Sequence, residues 1–291
     1  MSVAAAAPAT AEPDRAKALY DYGQTTVFSV RSDPRFAYCL YVPPDLDRAA
    51  TRPELIVAMH GTGRTFIQYR NAFSSFARWH NCLVLAPLFP AGVLGDDNRH
   101  GFKYMAEGDI RYDKVLLDLV AEVEERYGLT FPKFALFGFS GGAHFAHRFL
   151  YLHPARLFAV SIGAAGSVTL PDASHDWWVG IRDLEARFGV RFDRAAVAEV
   201  PTQVVVGAAD IETWEITHRE GGKFFMPGAN DAGRTRPERA ETLARALEKL
   251  GARVRFDLIP NMSHEGMKAI DTVEDFFAGI IAERRAAASG A

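Results

Sequence analysis

The sequence predicts an α/β protein with a mostly parallel sheet that helices cover on both faces. Short, continuously apolar segments such as 54–59 and 203–206 recur along the chain, and amphipathic segments of helical period separate them. One apolar segment leads directly into a serine flanked by glycines, as at a turn from strand to helix. With 291 residues, of which 48% are hydrophobic and 24% charged, the composition is that of a globular α/β domain.

The predicted elements begin with a hairpin. Residues 27–30 and 37–42 alternate in polarity, and a Ser-Asp-Pro-Arg turn at 32–35 separates them. Buried strands are then predicted at 54–59, 82–87, 134–137, 157–162, 203–206 and 254–259. Helices are predicted at 112–127, 143–150, 237–250 and 270–285. Pro237 near the first turn and Gly251 after the end mark the bounds of the third helix.

The chain divides into a tail and one domain. Residues 1–15 are rich in Ala and Pro and lack a basic region, so we expect a disordered tail. Residues 16–291 are predicted to form a single domain with insertions at about 91–111, 167–199 and 211–236. These three segments interrupt the alternation of strands and helices, and their aromatic content predicts ordered lid or pocket walls.

Charge and cysteine content limit the partners. A net charge of −3 gives no reason to expect nucleic acid or an anionic membrane as a partner. No apolar segment approaches the roughly 18 residues that span a bilayer. The two cysteines, Cys39 and Cys82, lie in apolar strand-like segments, so we expect buried free thiols and a reducing cytoplasm. The sequence leaves the formation of a homo-oligomer open.

The segment Gly138-Phe139-Ser140-Gly141-Gly142 carries the clearest chemical signal. Glycines two positions before and after the serine let the chain turn sharply and expose the hydroxyl above the sheet. The helix that follows offers free N–H groups and a partial positive charge. A structural or phosphate-holding turn is the alternative, but no lysine follows in the P-loop arrangement. We therefore expect Ser140 to be a nucleophile.

A serine nucleophile needs a base, which a third group orients. His264 lies in a short turn after the last predicted strand, and ligand sites of parallel sheets gather at the carboxyl ends of strands. Asp210 follows the strand at 203–206, where a carboxylate could fix the tautomer of the histidine. Glu212 and Glu215 in the same loop are rivals for this role.

The negative charge of a tetrahedral intermediate needs hydrogen-bond donors. The backbone N–H of Gly141 is one, and the N–H of Thr62, after the strand at 54–59, is expected to be the second. Glycines on both sides of Thr62 allow that backbone to approach a ligand closely. Arg64 is a candidate for holding an acidic group of the substrate, with a solvated arginine as the alternative.

Aromatic side chains of the predicted insertions are candidates for a fairly large, partly apolar substrate pocket. These candidates are Trp177, Trp178, Trp214, Phe224 and Phe225. No metal or other cofactor is expected, because the chemistry of a serine, a histidine and a carboxylate needs none and no motif asks for one.

A resemblance to the α/β-hydrolase superfamily rests on four motifs taken together: His60-Gly61-Thr62-Gly63, Gly138-Phe139-Ser140-Gly141-Gly142, Ala209-Asp210 and Ser263-His264. Within it, the chain is similar to the branch of esterases, dienelactone hydrolases and polyhydroxyalkanoate depolymerases. The resemblance covers roughly residues 36–282. It implies an eight-stranded, mostly parallel sheet and a two-step mechanism through an acyl-enzyme.

The expected function is the hydrolysis of carboxylic esters, with a small-molecule ester as substrate. The same three residues could cleave amide, peptide, thioester or carbon–carbon bonds, and the sequence does not separate these chemistries. The alternative outside the enzymes is a ligand sensor that retains the pocket without catalysis. It is disfavoured because each role of the mechanism has a candidate residue.

Overall fold

A computed structural model describes residues 19–46 and 51–290, and an eight-stranded sheet forms its centre. The tail expected at residues 1–15 lies outside the described residues. The strands, in chain order, are β1 (Gly23–Ser29), β2 (Ala37–Val42), β3 (Glu54–Met59), β4 (Cys82–Leu88), β5 (Ala106–Glu107), β6 (Ile110–Arg111), β7 (Phe134–Phe139), β8 (Leu157–Gly163), β9 (Thr202–Gly207) and β10 (Val254–Ile259).

The sheet has the spatial order β1-β2-β4-β3-β7-β8-β9-β10. Strands β1, β2 and β4 pair antiparallel, and every other neighbouring pair is parallel. Strands β5 and β6 form a separate hairpin. The prediction of a mostly parallel, eight-stranded sheet is therefore confirmed, and β2, β3 and β10 have the predicted bounds.

Eight α-helices lie entirely within residues 19–46 and 51–290, and residues 19 and 20 are also helical. They are α1 (Phe66–Ala72), α2 (Ser74–Trp79), α3 (Tyr112–Tyr127), α4 (Gly141–Leu152), α5 (Leu184–Phe188), α6 (Arg194–Ala198), α7 (Arg236–Leu250) and α8 (Ile270–Ser289). Helix α7 begins after Thr235, whose side chain accepts a hydrogen bond from the N–H of Glu238, and ends at Gly251 with a φ of 101°. None of the helices in the described ranges combines the length and apolar character needed to cross a membrane.

The central strands are buried on both faces, which explains their continuous apolar sequences. Every residue of β7, β8 and β9 is buried. At the edge of the sheet, β10 is only partly covered, and Phe256 and Leu258 remain exposed. Helix α4, buried along its whole length, packs against β7 and β8. Ser140, at the junction of β7 and α4, therefore lies between two fully buried elements.

The three predicted insertions each contain little regular structure. Residues 91–111 hold a 3₁₀-helix (Gly101–Tyr104) and the β5–β6 hairpin. Residues 167–199 contain only the two short helices α5 and α6, and residues 211–236 form turns up to the first residue of α7. All three contribute side chains to one pocket beside Ser140.

Candidate active site

Ser140 occupies a backbone conformation that few non-glycine residues adopt. Its φ is 56° and its ψ is −117°. The N–H of Ser140 donates a hydrogen bond of 2.7 Å to the carbonyl of Gly163, and its own carbonyl accepts from the N–H of His144 at 3.2 Å. A Cβ added at Gly142 would lie 2.6 Å from the carbonyl oxygen of Met59. The turn thus needs glycine for close approach to β3, and the surrounding structure holds the serine in its strained conformation.

Asp210 and His264 are in direct contact. Nδ1 of His264 lies 2.6 Å from Oδ2 of Asp210, whose carboxylate is buried. The N–H of Asp210 donates to the carbonyl of Gly207, which fixes the aspartate at the end of β9. The carboxylate therefore accepts a hydrogen bond from the Nδ1–H group, which leaves Nε2 as the free acceptor of the ring.

The two rival acidic residues lie elsewhere. Glu215 pairs with Arg236, with 2.7 Å between Oε2 and Nη2. The same guanidinium donates through Nη1 to Oδ1 of Asp210 at 3.1 Å. Glu212 is exposed. Of the three carboxylates that the sequence offered, the structure brings Asp210 to the histidine.

The loop that carries His264 packs against the strand that ends at the serine. The rings of His264 and Phe139 are 5.1 Å apart, and Phe139 directly precedes Ser140. A Cβ at Gly266 would lie 2.8 Å from the Phe139 ring, so this loop approaches β7 closely. Among the described residues, the His264 ring forms its hydrogen bond with Asp210 and none with Ser140. Hydrogen bonds between a nucleophile and its base often tighten only when substrate binds.

The backbone of Thr62 lies beside that of Gly141. A Cβ built on Gly141 would be 2.9 Å from the Thr62 nitrogen. The Gly141 N–H belongs to the first turn of α4 and has no acceptor within the helix. The Thr62 N–H donates no hydrogen bond within residues 19–46 and 51–290. Two N–H groups next to Ser140 are thus available for one ligand oxygen.

Two side chains position the Thr62 loop. The buried ring of His60 donates from Nδ1 to the carbonyl of Gly61 at 2.8 Å and accepts from the N–H of Phe89 at 2.9 Å. Burial lowers the pKa of His60 to about 3, so the ring is neutral. Arg64 donates to the carbonyls of Thr62 (2.6 Å), Phe89 (3.1 Å) and Arg99 (3.0 Å).

These contacts correct the expectation for Arg64. Its guanidinium is committed to three backbone carbonyls and lies outside the residues that line the pocket. The side chain is only partly exposed, so it is not the solvated arginine of the alternative either. Arg64 anchors the loop that presents the Thr62 N–H.

A pocket of about 190 Å³ opens beside Ser140. This volume is below the roughly 300–1,000 Å³ of pockets for drug-sized ligands, so the pocket is smaller than the sequence led us to expect. Its wall is partly apolar, as expected, and includes Thr62, Lys103, His144, Ile216, His218 and Phe224. A compact ligand fits such a site best.

Of the five aromatic candidates, Phe224 lines the pocket, and its ring stacks on Tyr104 with 4.4 Å between centroids. Trp177 and Trp178 are buried behind the wall, where Trp178 donates from Nε1 to the Phe224 carbonyl at 3.1 Å. Trp214 is 74% exposed and Phe225 is 37% exposed, and neither lines the pocket. The sequence pattern located the right segments but could not tell which side chains point inward.

Lys103 lines the pocket, and sequence reasoning missed it. The residue is 7% exposed, and its Nζ lies 2.9 Å from Nδ1 of His100. Burial is the main reason that the pKa of Lys103 falls to about 8 and that of His100 to about 4. A signal was present in the sequence, because Lys103 stands between Phe102 and Tyr104 in a segment predicted to form a pocket wall.

Comparisons with known proteins bear on the fold. A scan against protein-family models gave no match, and a search of curated proteins gave none. Among solved structures, the chain is similar to a poly(3-hydroxybutyrate) depolymerase from Bordetella parapertussis, with a TM-score of 0.70, 22% identity, and coverage of 90% of this chain and 92% of that one.

Two further solved structures agree. Poly(aspartic acid) hydrolase-1 from Sphingomonas sp. KT-1 matches with a TM-score of 0.66 and 22% identity, over 82% of this chain and 92% of that one. An S-formylglutathione hydrolase from Agrobacterium tumefaciens matches with a TM-score of 0.58 and 20% identity, over 90% of this chain and 98% of that one. With the strand order and the serine turn described above, these likenesses show that the chain has the α/β-hydrolase fold.

Proposed function

We propose that this protein is a serine hydrolase that cleaves carboxylic esters through an acyl-enzyme intermediate. The observation that carries the proposal is the pairing of His264 with Asp210 against Phe139, one residue before the strained Ser140. Residues 140, 210 and 264 come from three distant parts of the sequence, and a nucleophile, a base and an orienting carboxylate are the set that acyl transfer requires.

In the proposed mechanism, Ser140 Oγ attacks the ester carbonyl while Nε2 of His264 takes its proton. The N–H groups of Thr62 and Gly141 stabilise the negative charge on the carbonyl oxygen. His264 then protonates the leaving alcohol, and the acyl group stays on the serine. Water, activated by the same histidine, attacks the acyl-enzyme and releases the acid. The carboxylate of Asp210 stabilises the imidazolium that forms in both steps.

Names of similar structures support hydrolysis as the reaction class. They include a depolymerase of poly(3-hydroxybutyrate), a hydrolase of poly(aspartic acid), a hydrolase of S-formylglutathione and several esterases. The small pocket supports a small-molecule ester over a bulky one. We also propose a cytoplasmic location, which the buried free thiols Cys39 and Cys82 support. Neither nucleic acid nor a membrane is proposed as a partner, because the net charge of −3 offers no basic surface for them.

The test is the replacement of Ser140 by alanine. We expect Ser140→Ala to lower kcat for p-nitrophenyl acetate by about 10⁴-fold or more and to abolish labelling by a fluorophosphonate probe. Replacement of the exposed Ser75 by alanine is the matched control and should change neither. Undiminished turnover by the Ser140 variant would remove this serine from the mechanism. Failure of the wild-type protein to react with the probe would favour the ligand sensor.

A matched series of an ester, a thioester and an amide with the same acyl group decides the bond that is cleaved. We expect the ester to have the highest kcat/KM. A higher kcat/KM for the amide or the thioester would leave the proposed triad standing. It would show that this bond, and not the ester, is the one that the protein prefers to cleave.

A further inference from the structure

Lys103 is a buried cation at the pocket wall that forms no ion pair with a carboxylate of the described residues, although the negative charge of Glu215 acts on it from a distance. Its ammonium group is held by the neutral imidazole of His100 at 2.9 Å. Glu215 also faces the pocket, but its carboxylate is paired with Arg236. A buried ion without a counter-ion is costly, because the protein must replace the solvation that water would provide.

The lysine lies next to the proposed reaction centre. A Cβ built on Gly141 would be 3.0 Å from Lys103 Cε, 2.9 Å from the Thr62 nitrogen and 3.0 Å from Thr62 Oγ1. The aliphatic stem of the lysine therefore borders the two N–H groups that would bind the carbonyl oxygen. An anionic group held by its ammonium would lie only a few bonds from the ester carbonyl.

The surroundings of Lys103 carry excess positive charge. Arg148 and Arg239 are fully buried, and among the described residues neither has a carboxylate partner. Arg236 is the exception, since Asp210 and Glu215 both contact it. Such an arrangement of fixed charges attracts anions into a cleft.

The three histidines of the pocket wall are uncharged, so they do not change the positive charge around Lys103. His144 and His218 line the pocket with His100, and burial lowers the pKa of each, to about 4 for His100 and His218 and well below the ordinary value for His144. They are neutral at physiological pH. Lys103 thus contributes one positive charge without an ion-pair partner at the wall, which matches a carboxylate better than a doubly charged phosphate.

We propose that Lys103 forms a carboxylate-binding subsite and that the substrate is an ester carrying a carboxylate a few bonds from the scissile carbonyl. The inference rests on the proposed ester hydrolysis and names its substrate class. A bound carboxylate supplies the missing counter-ion of the lysine. It also fixes the ester against the N–H groups of Thr62 and Gly141, so that binding energy is used for orientation.

The test uses two substrate pairs, each an anionic ester and a neutral ester of the same shape. Monoethyl glutarate and ethyl 5-methylhexanoate differ at the end of the acyl chain, where the first has a carboxylate and the second an isopropyl group. 3-Acetoxypropanoate and 3-methylbutyl acetate have the same difference at the end of the alcohol group. Titration of the released acid gives kcat/KM for all four. We expect the anionic member of at least one pair to be favoured by about 10–100-fold, as for a charge-assisted hydrogen bond.

Lys103→Met removes the charge and keeps most of the stem. We expect this variant to lose the preference by lowering kcat/KM of the anionic ester about 10–100-fold, with the neutral partner within about threefold of the wild-type value. Lys114→Met removes one exposed lysine of α3 and should change neither. The rate of fluorophosphonate labelling at Ser140 reports whether the Lys103 variant keeps a folded site.

Three results would overturn the inference. If neither pair shows a preference in the wild-type protein, there is no carboxylate subsite, although Ser140-dependent turnover of the neutral esters would leave the proposed function standing. If Lys103→Met slows both members of a pair equally, the lysine supports the carbonyl oxygen and not a carboxylate. If the wild-type protein neither turns over any ester nor reacts with the probe, the proposed function itself fails. The first comparison needs no variant, so it holds even if Lys103→Met does not fold.

Discussion

At the scale of single residues, the carboxylate of Asp210 serves two partners. Oδ2 accepts from His264 and Oδ1 accepts from Arg236, so both oxygens of a buried carboxylate are satisfied. The guanidinium compensates the burial of the negative charge and holds the carboxylate in one orientation. This second contact explains how the Asp210 carboxylate can sit buried against the histidine.

Replacing Asp210 by asparagine should lower kcat for p-nitrophenyl acetate by about 10³–10⁴-fold. An amide can turn its NH₂ group toward Nδ1 of His264, which favours the tautomer that carries its proton on Nε2 and cannot accept one from Ser140. Steady-state kinetics with the purified variant measures the change. Glu212→Gln, in the same loop but exposed, is the control and should retain full activity. A similar loss in both variants would argue that the loop, and not the carboxylate, matters.

At the scale of secondary structure elements, the junction between β7 and α4 positions Ser140. Strand β7 lies between β3 and β8, so the serine emerges at the centre of the sheet. Gly142, in the first turn of α4, touches the end of β3, because an added Cβ would be 2.6 Å from the Met59 carbonyl and 2.9 Å from that of His60. These backbone atoms belong to the last residue of β3 and the first residue of the loop that leads to Thr62, so the serine turn and the Thr62 loop are packed together directly.

Substituting Gly142 by alanine should therefore lower the free energy of unfolding by about 2–4 kcal/mol, since the clashing atoms are backbone carbonyls that cannot move aside. Thermal denaturation measures this change. Gly279→Ala in α8 is the matched control, because no atom lies within 4 Å of the added Cβ and the residue is exposed. We expect that control to stabilise the protein by about 0.5–1 kcal/mol. Equal melting temperatures for the two variants would contradict the packing argument.

Short elements are where the sequence interpretation was incomplete. Helix α3 has the predicted bounds. Its 16 residues span more than four turns, so the apolar residues recur often enough at helical spacing to be recognised in the sequence. Helices α1 and α2 were not predicted. They have only seven and six residues, and no side chain caps the start of either. Tertiary packing, which one chain segment does not reveal, makes such short helices stable.

At the scale of the whole molecule, two buried arginines on core helices connect the insertions to the sheet. Arg148 of α4 donates to Lys103 O and to Thr169 Oγ1, and its guanidinium lies over the rings of Tyr104 and Trp178. The 91–111 and 167–199 segments are thereby fastened to the same helix that follows Ser140. This contact also explains why Trp178 packs behind the pocket wall rather than in the pocket.

Arg239 of α7 has the same role for the 211–236 segment. It donates to the carbonyls of Gly233 (2.9 Å) and Ile216 (2.9 Å) and to Asn230 Oδ1 (3.2 Å). Since Ile216 lines the pocket, the arginine fixes part of the wall from behind. Backbone carbonyls buried in this way need a donor, because their desolvation is otherwise uncompensated.

Arg239→Ala should consequently loosen the segment. We expect faster amide hydrogen exchange in residues 211–236, a loss of about 2–4 kcal/mol in the free energy of unfolding and a raised KM for the ester substrate. Hydrogen exchange read by mass spectrometry localises the effect. Arg245→Ala, which removes an exposed arginine from the same helix, should stay within about 0.5 kcal/mol and leave the exchange unchanged. An unchanged exchange pattern in the Arg239 variant would show that the segment is held by other contacts.

The sequence by itself determined the fold class, most strand positions and the residues of the proposed reaction centre. Apolar runs, glycine spacing and the order of Ser140, Asp210 and His264 are local properties that the chain displays directly. Only the tertiary structure decided which side chains form the pocket wall. In the folded protein, Arg64 donates to backbone carbonyls, and Trp177 and Trp178 are buried behind the wall. Lys103 lies beside Gly141. Side-chain direction in irregular segments follows from contacts with residues far away in sequence, and no local pattern encodes those contacts.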